Sequence, residues 1–194
     1  MRGDGPFRIC FVCSGNICRS PMAEAVMREL VGQSELGGEV VVDSAGTGDW
    51  HIGERADLRA LRVLAGGGYD AAGHRARQFE SGWFDALDLV IALDRGHERT
   101  LRSWAPGDGQ SGKVRLLRGF DPESGPGELD VPDPYYDGEQ AFTEVLDQVE
   151  AACRGLLAHV RTQLVPQGVD PSDPGAADPG AADPGAAAGA VRQA

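Results

Sequence analysis

Residues Val12-Cys-Ser-Gly-Asn-Ile-Cys-Arg-Ser-Pro21 read as a loop pinned between a strand and a helix. Before it, Ile9 to Val12 is an apolar run suited to a buried strand. After it, Ser20 is placed to cap a helix and Pro21 suits the first helical position. Met22, Val26 and Leu30 then recur on one helical face.

A helix N-terminus carries unpaired N–H groups and a partial positive charge, which together bind anions. Gly15 and Asn16 accept the left-handed backbone that curls successive amides inward, so the stretch Ser14, Gly15, Asn16, Ile17, Cys18 can cup a dianionic phosphate. Arg19 adds a planar, permanently charged fork for two phosphate oxygens. Cys13, at the strand end, falls beneath the phosphorus. There the helix N-terminus and the guanidinium favour its thiolate, and the Ser20 hydroxyl can donate to the sulfur. Taken singly, Cys13 reads as a core residue and Arg19 as a solvated surface charge. Nucleophile, anion cradle and cation on one loop point instead to attack on a phosphate monoester.

Expelling a phenolate from phosphorus requires a proton at the departing oxygen. Asp133, in Val131-Pro-Asp-Pro-Tyr-Tyr136, is the candidate donor: two prolines stiffen its loop, and the neighbouring rings can exclude water. The same dipeptide is an ordinary turn at Asp121-Pro122. Trp50 and His51, in a Gly-rich segment, are candidates for another wall, with loop anchoring as the other reading of Trp50. Tyr135, Tyr136 and Trp50 would line a cleft long enough for an aryl phosphate to reach the sulfur, but not for the shorter phosphoserine.

The string Cys13-Ser-Gly-Asn-Ile-Cys-Arg-Ser-Pro-Met-Ala-Glu24, followed in chain order by Asp133-Pro-Tyr-Tyr136, resembles the low-molecular-weight protein tyrosine phosphatases over residues 7–165. The resemblance implies a Rossmann-like three-layer α/β fold, with a four-stranded parallel sheet flanked by helices and the phosphate-binding loop after the first strand. It implies hydrolysis of phosphotyrosine through a phosphocysteine on Cys13, with Arg19 binding phosphate. Asp133 would act first as acid and then as base, and neither metal nor cofactor is needed. Asn16, Ser20, Ser44 and His74 match the hydrogen-bonded set that shapes the loop. Cys18 matches a reversible disulfide partner of Cys13 under oxidation, plain packing being its other reading.

Three rival functions are weaker. An arsenate reductase on this scaffold needs two further relay cysteines, and the chain has none between Phe79 and Asp94. A phosphoarginine phosphatase carries Thr where Ile17 stands. A non-catalytic phosphate-binding module would have no use for Cys13, Arg19, Ser20 and Asp133 together.

Outward from the loop, strands and helices alternate. Glu39 to Asp43 reads as a second strand leading into Ser44-Ala-Gly46. Leu87 to Leu93 and Val114 to Leu117 read as two more, with helices over Asp57 to Leu64 and Asp94 to Trp104. The last helix carries one apolar stripe from Phe142 to Leu164, with Asp137 and Gln140 spaced as a capping box. Such alternation implies a parallel sheet covered on both faces, with ligand bound beyond the strand carboxyl ends. Residues 1–165 are thus expected to form one domain. From Pro166 the chain is Asp/Pro/Gly/Ala-rich, with Asp-Pro-Gly-Ala-Ala recurring at 173, 178 and 183, and reads as a disordered tail to residue 194.

The formal net charge of −12 argues against nucleic acid and anionic membranes as partners, but not against an anionic substrate that meets only the local field of the loop. The four cysteines, at 10, 13, 18 and 153, make no disulfide framework. Cys10 and Cys13 point to opposite faces of a strand, and the histidines are scattered, so no metal is expected. With a short polar N-terminus and no long apolar run, the expectation is a cytoplasmic monomer acting on tyrosine-phosphorylated proteins.

Overall fold

Strand β1 (Phe7–Cys13) is buried at every position except Arg8, as a strand with neighbours on both edges and layers on both faces must be. The computed structural model describes residues 5–164; the Asp/Pro/Gly/Ala-rich segment 166–194 lies outside the described residues. β1 is followed by α1 (Arg19–Gly32), β2 (Val40–Gly46), α2 (Leu58–Gly66), β3 (Leu89–Ala92), α3 (Arg95–Trp104), the short α4 (Asp108–Ser111), β4 (Val114–Leu116) and α5 (Glu139–Leu164). The sheet is parallel throughout, in the order β2-β1-β3-β4. The four-stranded Rossmann-like expectation is met, although β3 and β4 are shorter than their apolar runs suggest.

The sheet divides two cores, and alternate residues of β1 belong to each. Phe7, Ile9, Phe11 and Cys13 join the larger core with α1, α2 and α5. Cys10 and Val12 face Phe84, Leu101 and Val114 in the smaller one. The opposite facing of Cys10 and Cys13 follows from this two-residue period. The apolar stripe of α5 is buried from Phe142 through Val160, each large side chain contributing about 1.5–3 kcal/mol on leaving water.

Chain order sets where the site lies. β1 pairs with β2 on one edge and β3 on the other, so the connections after β1 and β3 leave in opposite directions. A crevice opens between them at the strand carboxyl ends. Cys13 ends β1 at that crevice.

Two helix starts differ from expectation. α1 begins at Arg19 with Cys18 at the cap position, so Ser20 is no cap. Its hydroxyl is engaged instead with Cys13, Asn16 and the Ala45 carbonyl, which leaves it unable to serve the helix end. α5 begins at Glu139, two residues beyond Asp137, and Gln140 reaches forward to Glu144 (3.1 Å), so the expected capping box is not formed. The caps at Asp57 and Asp94 do form, each carboxylate accepting a backbone N–H at 2.8 Å.

Candidate active site

Five residues separate the end of β1 from the start of α1, and the chain must turn sharply within them. Asn16 makes the turn; with φ of 55° it is the one non-glycine residue in the left-handed region among the described residues. Its side chain is fully buried and anchored on three sides. Nδ2 donates to Ser20 Oγ (2.8 Å) and Ser44 Oγ (2.9 Å), and Oδ1 accepts the Arg77 backbone N–H (2.9 Å). The Asn16 carbonyl lies 2.7 Å from His74 Nε2, and the Ser44 hydroxyl donates to Glu24 Oε2 at 2.6 Å. Asn16, Ser20, Ser44 and His74 thus support the loop from beneath, and the side chains of Asn16 and Ser20 do not face the cleft.

The loop is clamped from the side as well. Thr47 and Gly48 N–H groups donate to the carbonyls of Cys13 (2.7 Å) and Ser14 (2.9 Å). Gly46 lets the backbones come this close: a Cβ there would lie 2.6 Å from the Ser14 oxygen and 3.1 Å from the Asn16 nitrogen. With the carbonyls turned outward, the N–H groups of Gly15, Asn16, Ile17 and Cys18 donate to no acceptor among the described residues. They are free for an anion, beside the N-terminus of α1. Cys13 Sγ sits at their foot, 3.0 Å from Ser20 Oγ. The remaining thiols, Cys10, Cys18 and Cys153, are pushed well above the ordinary thiol range by burial.

Arg19 is 4% exposed, and its guanidinium is shared. Nη1 donates to Asp94 Oδ2 (2.9 Å) and the Val131 carbonyl (3.2 Å), and Nη2 to Asp133 Oδ2 (2.8 Å). Its Nε is buried with no partner among the described residues, an expensive omission unless a ligand supplies the acceptor. Asp133 is therefore brought to the site, but its side chain keeps 44% of its exposure. The rings of Tyr135 and Tyr136 do not exclude water from it as expected, because Tyr136 itself is 91% exposed.

The cleft holds about 160 Å³. Cys13, Ser14, Gly15, Ile17, Cys18 and Arg19 form its floor, and Trp50, His51, Asp133, Tyr135 and Tyr136 its walls. Trp50 is 70% exposed and lies over Gly48, so it belongs to the wall and not to the core. A larger hollow of about 1320 Å³ opens at the other end of the sheet, but no cysteine lines it.

Asp94 and His97 complete the site and were not anticipated. His97 Nε2 lies 2.9 Å from Ser14 Oγ, and burial holds its imidazole down to about 4, against the pull of Asp94. The ring is thus neutral near pH 7. Its Nδ1 lies 3.0 Å from Asp94 Oδ1 without forming a hydrogen bond to it, and the same oxygen accepts the His97 backbone N–H. The available signal was positional: both residues open the helix after the central strand β3, where ligand sites form. His74 is likewise held below its ordinary value by burial.

A thiol at the centre of a ring of free amides, with a buried guanidinium beside it, on a parallel α/β sheet, defines a cysteine-dependent phosphate-ester enzyme. Residues 8–166 match the sequence model of the low molecular weight phosphotyrosine protein phosphatases, and the chain belongs to that family. A low molecular weight protein-tyrosine-phosphatase of Streptomyces coelicolor is 59% identical over 158 residues, covering 81% of this chain and 96% of that protein. Low molecular weight protein-tyrosine phosphatase A of Mycobacterium bovis is 46% identical over 163 residues, covering 84% and 97%. Among solved structures, a protein tyrosine phosphatase of Entamoeba histolytica with Hepes in its active site superposes with a TM-score of 0.77 at 34% identity, covering 82% of this chain and 99% of that one. YfkJ of Bacillus subtilis gives 0.76 at 37% identity, covering 84% and 100%. The protein is a protein-tyrosine-phosphatase and takes phosphoproteins as substrates; the arsenate reductase and phosphoarginine readings fall away. Among the described residues no helix is long and apolar enough to cross a membrane.

Proposed function

We propose that Cys13 is the nucleophile, Arg19 the phosphate clamp and Asp133 the acid and base in hydrolysis of phosphotyrosine on proteins. The observation that carries this reading is that four amides without acceptors, the Arg19 guanidinium with its unpartnered Nε and the Cys13 thiol belong to one loop that lines one cleft. The phosphate takes the amides and Arg19, releasing Asp133 from its ion pair with Nη2. Freed from the guanidinium and open to water, Asp133 takes up a proton; the Cys13 thiolate attacks phosphorus, the bond to the phenolic oxygen breaks, and Asp133 gives that oxygen its proton. Water then attacks the phosphocysteine, Asp133 takes its proton back, the S–P bond breaks, and phosphate leaves with the thiolate restored. Asp94 keeps its hold on Nη1 throughout, so the guanidinium need not reorganise.

Trp50, Tyr135 and Tyr136 support selection of an aryl phosphate, because they line the cleft that leads to Cys13, a residue only 3% exposed. Residues 1–165 constitute the phosphatase domain in this reading, acting as a cytoplasmic monomer, and removal of 166–194 leaves turnover intact. A single-turnover experiment with acid quench tests the central step: a phosphate label on Cys13 is expected, and turnover without any labelled Cys13 would refute it.

A further inference from the structure

Arg59 stands at the second position of α2 and grips the acid loop. Its Nε and Nη2 lie 3.0 and 2.8 Å from the two oxygens of Asp57, which fixes the guanidinium plane. The far side of the fork donates to the backbone: Nη2 to the Tyr135 carbonyl (2.9 Å) and Nη1 to the Asp137 carbonyl (2.8 Å). The guanidinium carbon also lies 4.6 Å from the centre of the buried Phe142 ring and 5.8 Å from that of Tyr135. The Asp57 N–H donates to the Ile17 carbonyl at 2.8 Å, so the base of the grip is tied to the phosphate loop itself.

Within the segment it holds, Pro134 is buried and its carbonyl accepts the Asp137 N–H (3.0 Å), and the Tyr135 N–H donates to Asp133 Oδ1 (3.3 Å), both local contacts that do not tie the loop to α2. Residues 132–138 belong to no helix or strand. Val131 is secured through its N–H to the Leu93 carbonyl (2.8 Å) and its own carbonyl to Arg19. Beyond it, Arg59 is the only side chain that donates to the backbone carbonyls of 132–138 among the described residues. Asp133 therefore stands between two hydrogen-bonded anchors to the rest of the fold, one at Val131 and one at Arg59, with the buried Pro134 beside it. Its contact with Arg19 lapses once phosphate occupies that guanidinium, and the second anchor then determines where its carboxyl stands.

We propose that Arg59 is a positioning residue that holds Asp133 at the leaving oxygen by bridging the Tyr135 and Asp137 carbonyls. The inference rests on Asp133 being the general acid. A planar fork is required, because an ammonium cannot meet Asp57 and both carbonyls in one plane. A displacement of about 1 Å at a reacting group costs on the order of 10²-fold, and the loss falls only on steps that need the proton.

The test is the ratio of kcat/KM for phenyl phosphate to kcat/KM for 2,4-dinitrophenyl phosphate, whose leaving group needs no proton. Measured within one preparation, the ratio does not depend on how much of a variant is folded. Asp133→Asn is expected to lower it by about 10² or more. Arg59→Ala lowers it by about tenfold or more, and the double variant falls no further than Asp133→Asn alone. Arg59→Lys, which keeps the charge without the fork, also lowers it. A wild-type ratio in Arg59→Ala beside a collapsed ratio in Asp133→Asn would overturn the inference alone. A wild-type ratio in Arg59→Lys would reduce the grip to its charge and overturn the bridge. A wild-type ratio in Asp133→Asn would overturn the acid role and this inference with it.

Discussion

Replacing Asn16 should be among the most damaging single changes outside the core, and the two obvious replacements should differ. In Asn16→Ala the Arg77 N–H loses its acceptor in a part-buried hydrogen bond, which costs about 0.5–1.5 kcal/mol. Ser20 and Ser44 each lose the amide that donates to them but keep the Ala45 carbonyl and Glu24, respectively. That adds about 0.5–1.5 kcal/mol apiece. The backbone at φ 55° is a further burden, since alanine pays about 1–2 kcal/mol in the left-handed region. The loss of stability is therefore about 2.5–6.5 kcal/mol, a large share of what a domain of this size holds. Asn16→Gly forfeits the same hydrogen bonds but not the strain, and should retain about 1 kcal/mol more. Urea unfolding in phosphate-free buffer measures both, since bound phosphate would stabilise the folded state by mass action. A loss below about 2 kcal/mol in the alanine variant, or an alanine variant no worse than glycine, would refute the account of Asn16 as a strained and triply anchored corner.

Other outcomes follow from the same geometry. Cys13→Ser is expected to bind an aryl phosphate yet show no turnover, and wild-type hydrolysis in that variant would remove the nucleophile. Because His97 is held near 4 when folded, the unfolded chain takes up its proton first. Its contribution is complete above about pH 6.5, is lost between 6.5 and 4, and amounts to about 3 kcal/mol. His97→Gln should flatten the stability curve over that window, and parallel curves would contradict the buried, neutral ring. Gly46→Ala drives a Cβ into the Ser14 and Asn16 backbone, whereas Gly15→Ala meets only the His51 ring at 2.8 Å, which can swing aside. Aryl phosphate kcat/KM should fall by about 10² or more in the first and about tenfold or less in the second; equal losses would mean that loop contact with β2 does not shape the amide ring.

Much of this site was legible because its chemistry is local in sequence. Cys13, the amides and Arg19 lie on one loop, and flanking hydrophobic runs announce the strand and helix that hold it. The apolar stripe of α5 and the strands β1 and β2 were legible for the same reason, their periodicity being set by burial on known faces. What escaped was polar and long-range. Ser20 could be read both as a helix cap and as a partner of the Cys13 sulfur, and only the fold decides between them, adding to the sulfur an amide from Asn16 and a carbonyl from β2 that leave the hydroxyl nothing for the helix end. Asp94, His97 and Arg59 are ordinary residues near helix starts until the topology sets the first two beside Arg19 and Ser14, 75 and 83 positions earlier, and the third beside Tyr135 and Asp137, 76 and 78 positions later. The exposure of Asp133 was misjudged because adjacent rings shield a group only if they are packed onto it, and Tyr136 packs edge-on against Tyr135 instead while staying 91% exposed.

The two halves of the site are held in different ways, and the difference suits their tasks. The anion cup is built on buried groups, with Asn16, Ser20 and Ser44 fixed to each other and to α1, so its amides point inward before any ligand arrives. Preorganised donors of this kind stabilise developing charge without moving. The acid stands on an exposed loop with one anchor at the end of β3 and one at the start of α2, and in the free enzyme its carboxylate occupies the guanidinium that the phosphate needs. A rigid cup with a loosely tethered acid lets phosphate enter by displacing a single ion pair. It also separates the faults: damage beneath the cup should lower stability and turnover together, whereas damage to the tether should spare stability and appear only where a proton must be delivered.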